Sequence, residues 1–241
     1  MPDWLAQLAP FLPSDGVFSP SVLTQYWTGL VYTIQLVFIS LLLGIVLAVP
    51  LAIGRMSARI WVSGPIWVYT YIFRGTPLLI QLYLAYYGFA FIPGIQDSVF
   101  AFFINNPLYP ALLSFTLNTA AYTTEIFYGA IRAMPAGELE AARAYGMSTR
   151  TAYRRIVLPS AFRRALPAYG NEVIFMLHAS AIASAVTITD LTGAAYYAYG
   201  MLYSPFTPFI FVACIYMVLS FAIQGGFRLL EKRLLRHLKP A

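Results

Sequence analysis

The chain alternates between long stretches free of charge and short stretches dense in arginine. Charged side chains are absent from Gly16 to Gly54, from Gly75 to Gln96, from Ser98 to Thr124 and from Leu191 to Phe227, and a shorter charge-free run covers Val173 to Thr189. Within these runs apolar residues follow one another instead of alternating with polar ones. Continuous runs predict helices, because the strands of a membrane barrel would alternate. Roughly 20 apolar residues carry a helix across a hydrocarbon core. The pattern therefore predicts an all-α membrane protein with five spans, near 28–53, 65–92, 108–131, 166–188 and 206–228.

Two spans carry internal punctuation. Ser40, Gly44 and Ala48 recur every four residues in the first, a spacing that lets another helix approach closely. The second is interrupted by Arg74-Gly75-Thr76-Pro77. Pro77 has no amide hydrogen and Gly75 frees the backbone, so a kink or re-entrant entry is expected there. Trp61, Trp67, Tyr69 and Tyr71 precede the break, as suits a segment at a membrane interface.

Composition strengthens this picture. Of 241 residues, 60% are hydrophobic and 10% charged, with a mean hydropathy of +0.70; a water-soluble domain carries about 25% charged residues. The basic residues set orientation. Arg55 and Arg59 follow the first span, seven arginines lie in 132–164 and five basic residues lie in the C-terminal tail, while the N-terminal segment and the 93–107 and 189–205 loops have none. Asp3, Asp15, Asp97 and Asp190 fall on the side without Lys or Arg. The positive-inside rule then places the N-terminus outside and the C-terminus in the cytoplasm. The net charge of +6 reports this topology, and a nucleic-acid partner is not expected. Met1 to Pro20 lacks a basic n-region, so the first span is read as a retained signal-anchor. The single Cys214 allows no intrachain disulfide.

The polar segment 135–159 is the most informative. Glu138 and Glu140 are expected in the first turn of a short helix, where carboxylates oppose the helix dipole favourably. Ala141, Ala142 and Ala144 continue it, and Gly146 stops it. Ser148 can cap a second short helix through Tyr153 and Arg155, closed by Pro159. The result would be a compact cytoplasmic knob.

That segment reads Glu140-Ala141-Ala142, three residues, Gly146, nine residues, then Ile156-x-Leu158-Pro159. It resembles the EAA loop of the membrane subunits of ABC importers, with every fixed position filled. Phe73-Arg74-Gly75-Thr76-Pro77-Leu78 and Leu117-Asn118-Thr119-Ala120-Ala121-Tyr122-Thr123-Thr124-Glu125-Ile126 look like the polar amino acid permease branch. Asn171 to His178 and the tail Glu231-Lys232-Arg233-x-Leu235-x-His237-x-Lys239-Pro240 are similar to the M-type subunits of histidine/lysine/arginine/ornithine importers. Many such permeases have Lys-Asp-Thr-Ser-Leu where this chain has His178-Ala179-Ser180-Ala181-Ile182. The resemblance implies a type I importer permease: a periplasmic segment 1–27 and a transmembrane permease domain 28–241 in the bacterial inner membrane. It implies that the loop docks into an ATPase subunit through Glu140, Ala141, Ala142, Arg143, Gly146, Arg150, Arg154, Ile156, Leu158 and Pro159. The implied partners are two ATPase subunits carrying ATP and Mg, a second permease chain of the Q type, a periplasmic amino-acid-binding protein and the lipid bilayer. For Arg143, Arg150 and Arg154, the topology signal is an equal explanation.

The chain lacks a phosphate-binding loop: Lys232 and Lys239 are its only lysines, and Arg and Pro follow them. No cofactor is expected on it. His178 and His237 do not suggest a metal site, and no catalytic constellation stands out. Charged groups within spans are costly to insert and become functional candidates. Asn118, Tyr122 and Glu125 share one helix face and could line a path for a cationic amino acid. Alternatively, Glu125 sits near the cytoplasmic end and bonds a neighbouring helix, Arg74 or Arg132. His178 and Ser180 are further path candidates, and Tyr83, Tyr86 and Tyr87 could offer cation–π surface or form an interfacial belt. A proton-coupled secondary transporter using Glu125, Glu172 and His178 is the competing reading, although no second pseudo-symmetric half is visible.

Overall fold

A computed structural model describes residues 9–98 and 101–235, together with Pro2 and Gln7. Asp3, His237, Lys239 and Pro240 therefore lie outside the described residues. The described chain is helical and contains no strand.

Helix α1 (Pro20–Arg55) runs 36 residues, about 54 Å at 1.5 Å per residue. Proline suits its first turn, where the amide would lack a partner. Helix α2 (Ile60–Gly75) follows and ends where Thr76 turns extended, with φ −114° and ψ 142°. Pro77, with φ −63° and ψ 135°, starts α3 (Leu78–Tyr83), and its carbonyl accepts from the amides of Ile80 and Gln81. Helix α3 continues as a π-helical turn over Leu84–Gly88, so the second expected span is two helices. Next come α4 (Ala101–Asn105) and α5 (Leu108–Arg132), then two short helices, α6 (Ala136–Ala144) and α7 (Thr149–Ala152). Helix α8 (Leu158–Ala179) passes into a 3-10 turn, Ser180–Val186, before α9 (Leu191–Leu202) and α10 (Thr207–Leu234).

By length and composition, α1 and α10 can each cross a membrane, and the bent pair Thr149–Val186 and Leu191–Leu202 makes a third candidate if counted as one span. Helix α5 is long enough, but Ser114, Thr116, Asn118, Thr119, Thr123 and Thr124 along it dilute its hydropathy. Those six side chains are buried.

Two expectations need correction. Residues 93–107 and 189–205 were expected to be loops, yet they contain α4 and α9. Leu191, Ala194, Ala195 and Ala198 form one buried face of α9, and the small alanines permit close packing. Pro159 was expected to close the second short helix of the knob. Instead a widened π turn, Tyr153–Val157, carries α7 into α8 without a stop. In a regular α-helix the Pro159 ring would meet the carbonyl of Arg155; here the Leu158 amide reaches back to Tyr153, and the extra residue relieves that conflict.

The chain divides into two compact units. One comprises the chain up to Ser40, Pro77–Thr116 and Phe175–Phe221; the other comprises Leu41–Thr76, Leu117–Ile174 and the chain from Ala222. The core of the first joins Val17, Val22 and Tyr26 to the alanine face of α9 and to Val212. Gly29 lies against the α9 start, where an added Cβ would meet the Asp190 carbonyl oxygen at 2.6 Å. The second unit packs Ala52, Phe127, Ala130 and Ile131 against Val157, Ala161 and Ala165, the last three at four-residue spacing. Phe127 also meets Phe162 edge-on at 4.6 Å.

Candidate functional site

The knob expected between the third and fourth spans is organised by one glycine. Gly146 has φ +71°, a left-handed conformation that side chains other than glycine adopt at a cost. Its amide donates to the Arg143 carbonyl at 2.9 Å, and the Met147 amide donates to that of Ala142 at 3.1 Å. This paired arrangement is a Schellman motif, which satisfies carbonyls left open at a helix C-terminus. Ser148 then caps α7 by accepting from the Thr151 amide at 3.3 Å. Glu138 lies in the first turn of α6, whereas Glu140 lies beyond it.

On this knob Glu140, Ala141, Arg143, Gly146, Arg150 and Arg154 are exposed, Ile156, Leu158 and Pro159 are half-buried, and Ala142 is buried. Tyr145, which the sequence reading passed over, is 85% exposed beside the glycine turn. A large aromatic side chain left in solvent at a turn is the one signal that could have singled it out.

In the same unit, the α2 end is held from α5. The Asn118 side-chain amide donates to the Phe73 carbonyl at 3.2 Å, and the Tyr122 hydroxyl donates to that of Arg74 at 3.3 Å. In return the Tyr69 hydroxyl donates to the Leu117 carbonyl at 2.6 Å. The carbonyls of Phe73 and Arg74 belong to the last turn of α2, where intrahelical partners run out. The Arg74 guanidinium lies 5.3 Å from the Tyr122 ring centroid. Thr76 folds its hydroxyl back to Ile72 at 2.8 Å, while the Gly75 position has open space around it.

Glu125 accepts from the Thr70 hydroxyl at 2.7 Å and pairs with Arg55 at 3.6 Å, tying α5 to α1 and α2. Arg55 also sits 4.9 Å from the Tyr128 ring. This matches the alternative of a carboxylate bonded to neighbouring helices, with Arg55 as the cation instead of Arg74 or Arg132. Glu172 is buried and accepts from Thr119 at 2.8 Å. Thr119 in turn packs against Gly44, whose added Cβ would come within 2.5 Å of the threonine methyl. Thr70, Thr119 and Arg55 were all missed as partners, because each is far from its carboxylate in sequence.

His178 and Ser180 belong to the other unit. His178 Nε2 lies 2.9 Å from the Ser220 hydroxyl of α10. Ser180 donates to the Leu177 carbonyl at 2.6 Å and lies 3.4 Å from the Tyr216 hydroxyl. Nearby, the fully buried Asp190 caps α9 by accepting from the Gly193 amide at 2.8 Å, and the Leu191 amide donates to Thr33 at 3.1 Å. Among the described residues no cluster of three or more His, Cys, Asp or Glu could hold a metal.

Comparison with known proteins covers nearly the whole chain. The profile of the family described as binding-protein-dependent transport system inner membrane component matches residues 20–236. The histidine/lysine/arginine/ornithine transport system permease protein HisM of Escherichia coli K12 is 47% identical over 233 residues, covering 91% of this chain and 98% of that protein. The nopaline transport system permease protein NocM of Agrobacterium fabrum is 44% identical over 208 residues, 86% of each chain. Among solved structures, an amino acid ABC transporter with histidines superposes with a TM-score of 0.76 at 31% identity, covering 97% of this chain and 99% of that one. The inward-facing MetNI methionine ABC transporter, at 22% identity and a TM-score of 0.74, shares the fold over 90% of this chain and 99% of its own.

Proposed function

Because the chain belongs to the family of inner membrane components of binding-protein-dependent transport systems, we propose that it is the permease subunit of an ATP-driven importer of basic amino acids, of the histidine, lysine, arginine and ornithine kind. The observation that carries this reading is near full-length likeness, at 47% identity, to a permease named for those four substrates. The competing proton-coupled reading gains no support.

The rest of the reading concerns topology and partners. The charge-free runs support five spans, and the arginine distribution supports an N-terminus outside and a C-terminus in the cytoplasm. ATP and Mg belong to two partner ATPase subunits, so this chain is not itself an enzyme. A second permease chain of the Q type and a periplasmic binding protein complete the importer. The knob docks on an ATPase through Glu140, Ala141, Ala142, Arg143, Gly146, Arg150, Arg154, Ile156, Leu158 and Pro159, with Tyr145 as an added aromatic anchor. Its mechanics follow from helix continuity. The chain stays helical from Thr149 through the π turn into α8, so a displacement of α7 passes directly into a spanning helix. Alternating access in transporters is largely rigid-body rocking of such helices.

Asn118 and Tyr122 are the substrate-path candidates of one unit, and His178 and Ser180, taken separately, those of the other. Glu125 acts on the path indirectly, because Arg55 and Thr70 hold its carboxylate. Arg74, Gly75, Thr76 and Pro77 form the broken segment that Asn118 and Tyr122 brace. The test is uptake by proteoliposomes containing the whole importer, with ATP inside and a panel of basic, neutral and acidic amino acids. ATP-dependent accumulation of basic amino acids supports the reading; accumulation driven by a proton gradient alone, without nucleotide, overturns it.

A further inference from the structure

Helix α6 has two faces. Glu140 and Arg143 are exposed on one, while Glu138, Leu139 and Ala142 share the other. The second face rests on the root of α8. Ala142 is buried, and Leu139 packs with Met134 and Tyr153 against the core of Phe127, Val157, Ala161 and Ala165. Beside Leu139, the Glu138 carboxylate accepts from the Arg164 guanidinium at 3.3 Å. Arg164 is also held on its own helix, donating through Nε to the Ser160 hydroxyl one turn earlier at 3.4 Å. A planar guanidinium fixed at one edge presents its other edge to Glu138 at a lower entropic cost. All of these residues belong to one compact unit.

The connectivity of the chain makes this pair consequential. Helix α7 runs into α8 without a break, so a push on α7 moves α8 directly. Helix α6 lies on the far side of the left-handed turn at Gly146, and a push on it reaches α8 through that single turn or through side-chain contacts. The Leu139 contact is apolar and has no preferred direction, whereas the charge-assisted bond of Glu138 to Arg164 does. Next to the pair is a cavity of about 320 Å³, which gives α6 room to tilt once the pair opens. Among the described residues lining it, Glu138 is the one carboxylate. We propose that the Glu138–Arg164 pair is a strut that locks α6 to α8, so that a stroke delivered to α6 turns α8 instead of tilting α6 alone. Both are positioning residues, and neither belongs to the docking set. The proposal rests on the reading of the knob as the ATPase-docking element.

The test is the ratio of ATP hydrolysed to amino acid accumulated, measured on the whole importer in proteoliposomes. The two side chains are 36% and 23% exposed, and a pair at such exposure shifts an equilibrium by about two- to fivefold. E138Q and R164Q should each raise the ratio by about that factor, and the double variant should raise it no further than either. R155Q, which alters the same cavity but not the pair, should keep the wild-type ratio. Affinity for the ATPase should be unchanged in all four. In a C214S background, E138C/R164C should be uncoupled as prepared and regain the wild-type ratio when a short thiol reagent joins the two positions. A wild-type ratio in both single variants overturns the strut, as do additive losses in the double variant or damage by R155Q equal to that by R164Q. A joined E138C/R164C chain that stays uncoupled overturns it too. Each of those results leaves docking standing. If the wild-type chain binds no ATPase, the docking reading itself falls, and the strut with it.

Discussion

Gly146 offers a graded perturbation whose cost can be worked from geometry. Its φ of +71° is held by the two hydrogen bonds of the Schellman turn, and an added Cβ would have nothing within 4 Å. Substitution therefore introduces backbone strain without a steric clash. A left-handed residue with a Cβ costs about 1–2 kcal/mol, alanine standing at the lower end and a β-branched valine at the upper. Asparagine tolerates the region better than either. If the strain is relieved by opening the turn, the knob spends less time in its docking-competent shape. Apparent affinity for the ATPase then falls in proportion: about fivefold for Gly146→Ala and about 30-fold for Gly146→Val. Gly146→Asn should stay close to wild type. Binding of the purified ATPase subunit to the chain in nanodiscs, measured by surface plasmon resonance, reads this series directly. Amounts inserted into the membrane should be unchanged. Equal affinity across the series, or damage by asparagine as severe as by valine, would refute the reasoning.

Other substitutions probe the packing. Gly44→Val forces a Cβ against Thr119 and disturbs its bond to Glu172; overpacking of this kind costs about 1–3 kcal/mol, seen as a lower thermal midpoint in detergent, and an unchanged midpoint would contradict the close approach. Asn118→Leu and Tyr122→Phe each remove a donor to an α2 carbonyl, worth about 1 kcal/mol. They should increase hydrogen exchange at 72–78, and unaltered exchange would remove the bracing role. Glu125→Gln breaks the pair with Arg55 and should lower uptake of basic and neutral substrates alike. Loss confined to basic substrates would put the carboxylate on the path itself.

Much of the architecture is readable from local pattern. The charge-free runs locate long helices, and glycine after a helix-forming run foretells the stop at Gly146. Pro77 after Arg74-Gly75-Thr76 marks the end of α2 for the same local reason. Other features depend on contacts between distant segments. Asp190, Gly193 and Gly200 give 189–205 the look of a loop, and only packing of its alanine face against Val22 and Tyr26 makes it a helix. Pro159 reads as a helix end unless the π turn before it is known. The partners of the membrane carboxylates were hidden by distance, since Glu125 meets Arg55 and Thr70 across 70 and 55 residues. Asn118 and Tyr122 were selected for their helical face, and that face turns out to meet the backbone of a broken helix.

Whether segment 135–159 works as a lever against an ATPase can be asked with one cross-link. With Cys214 replaced by serine, Arg143→Cys provides a unique thiol on the exposed side of α6. In the assembled importer, a short bifunctional reagent should join this position to the ATPase subunit, with a yield that changes between nucleotide-free and ATP-bound states. Absence of any such product in every nucleotide state, while ATP-driven uptake persists, would contradict the lever.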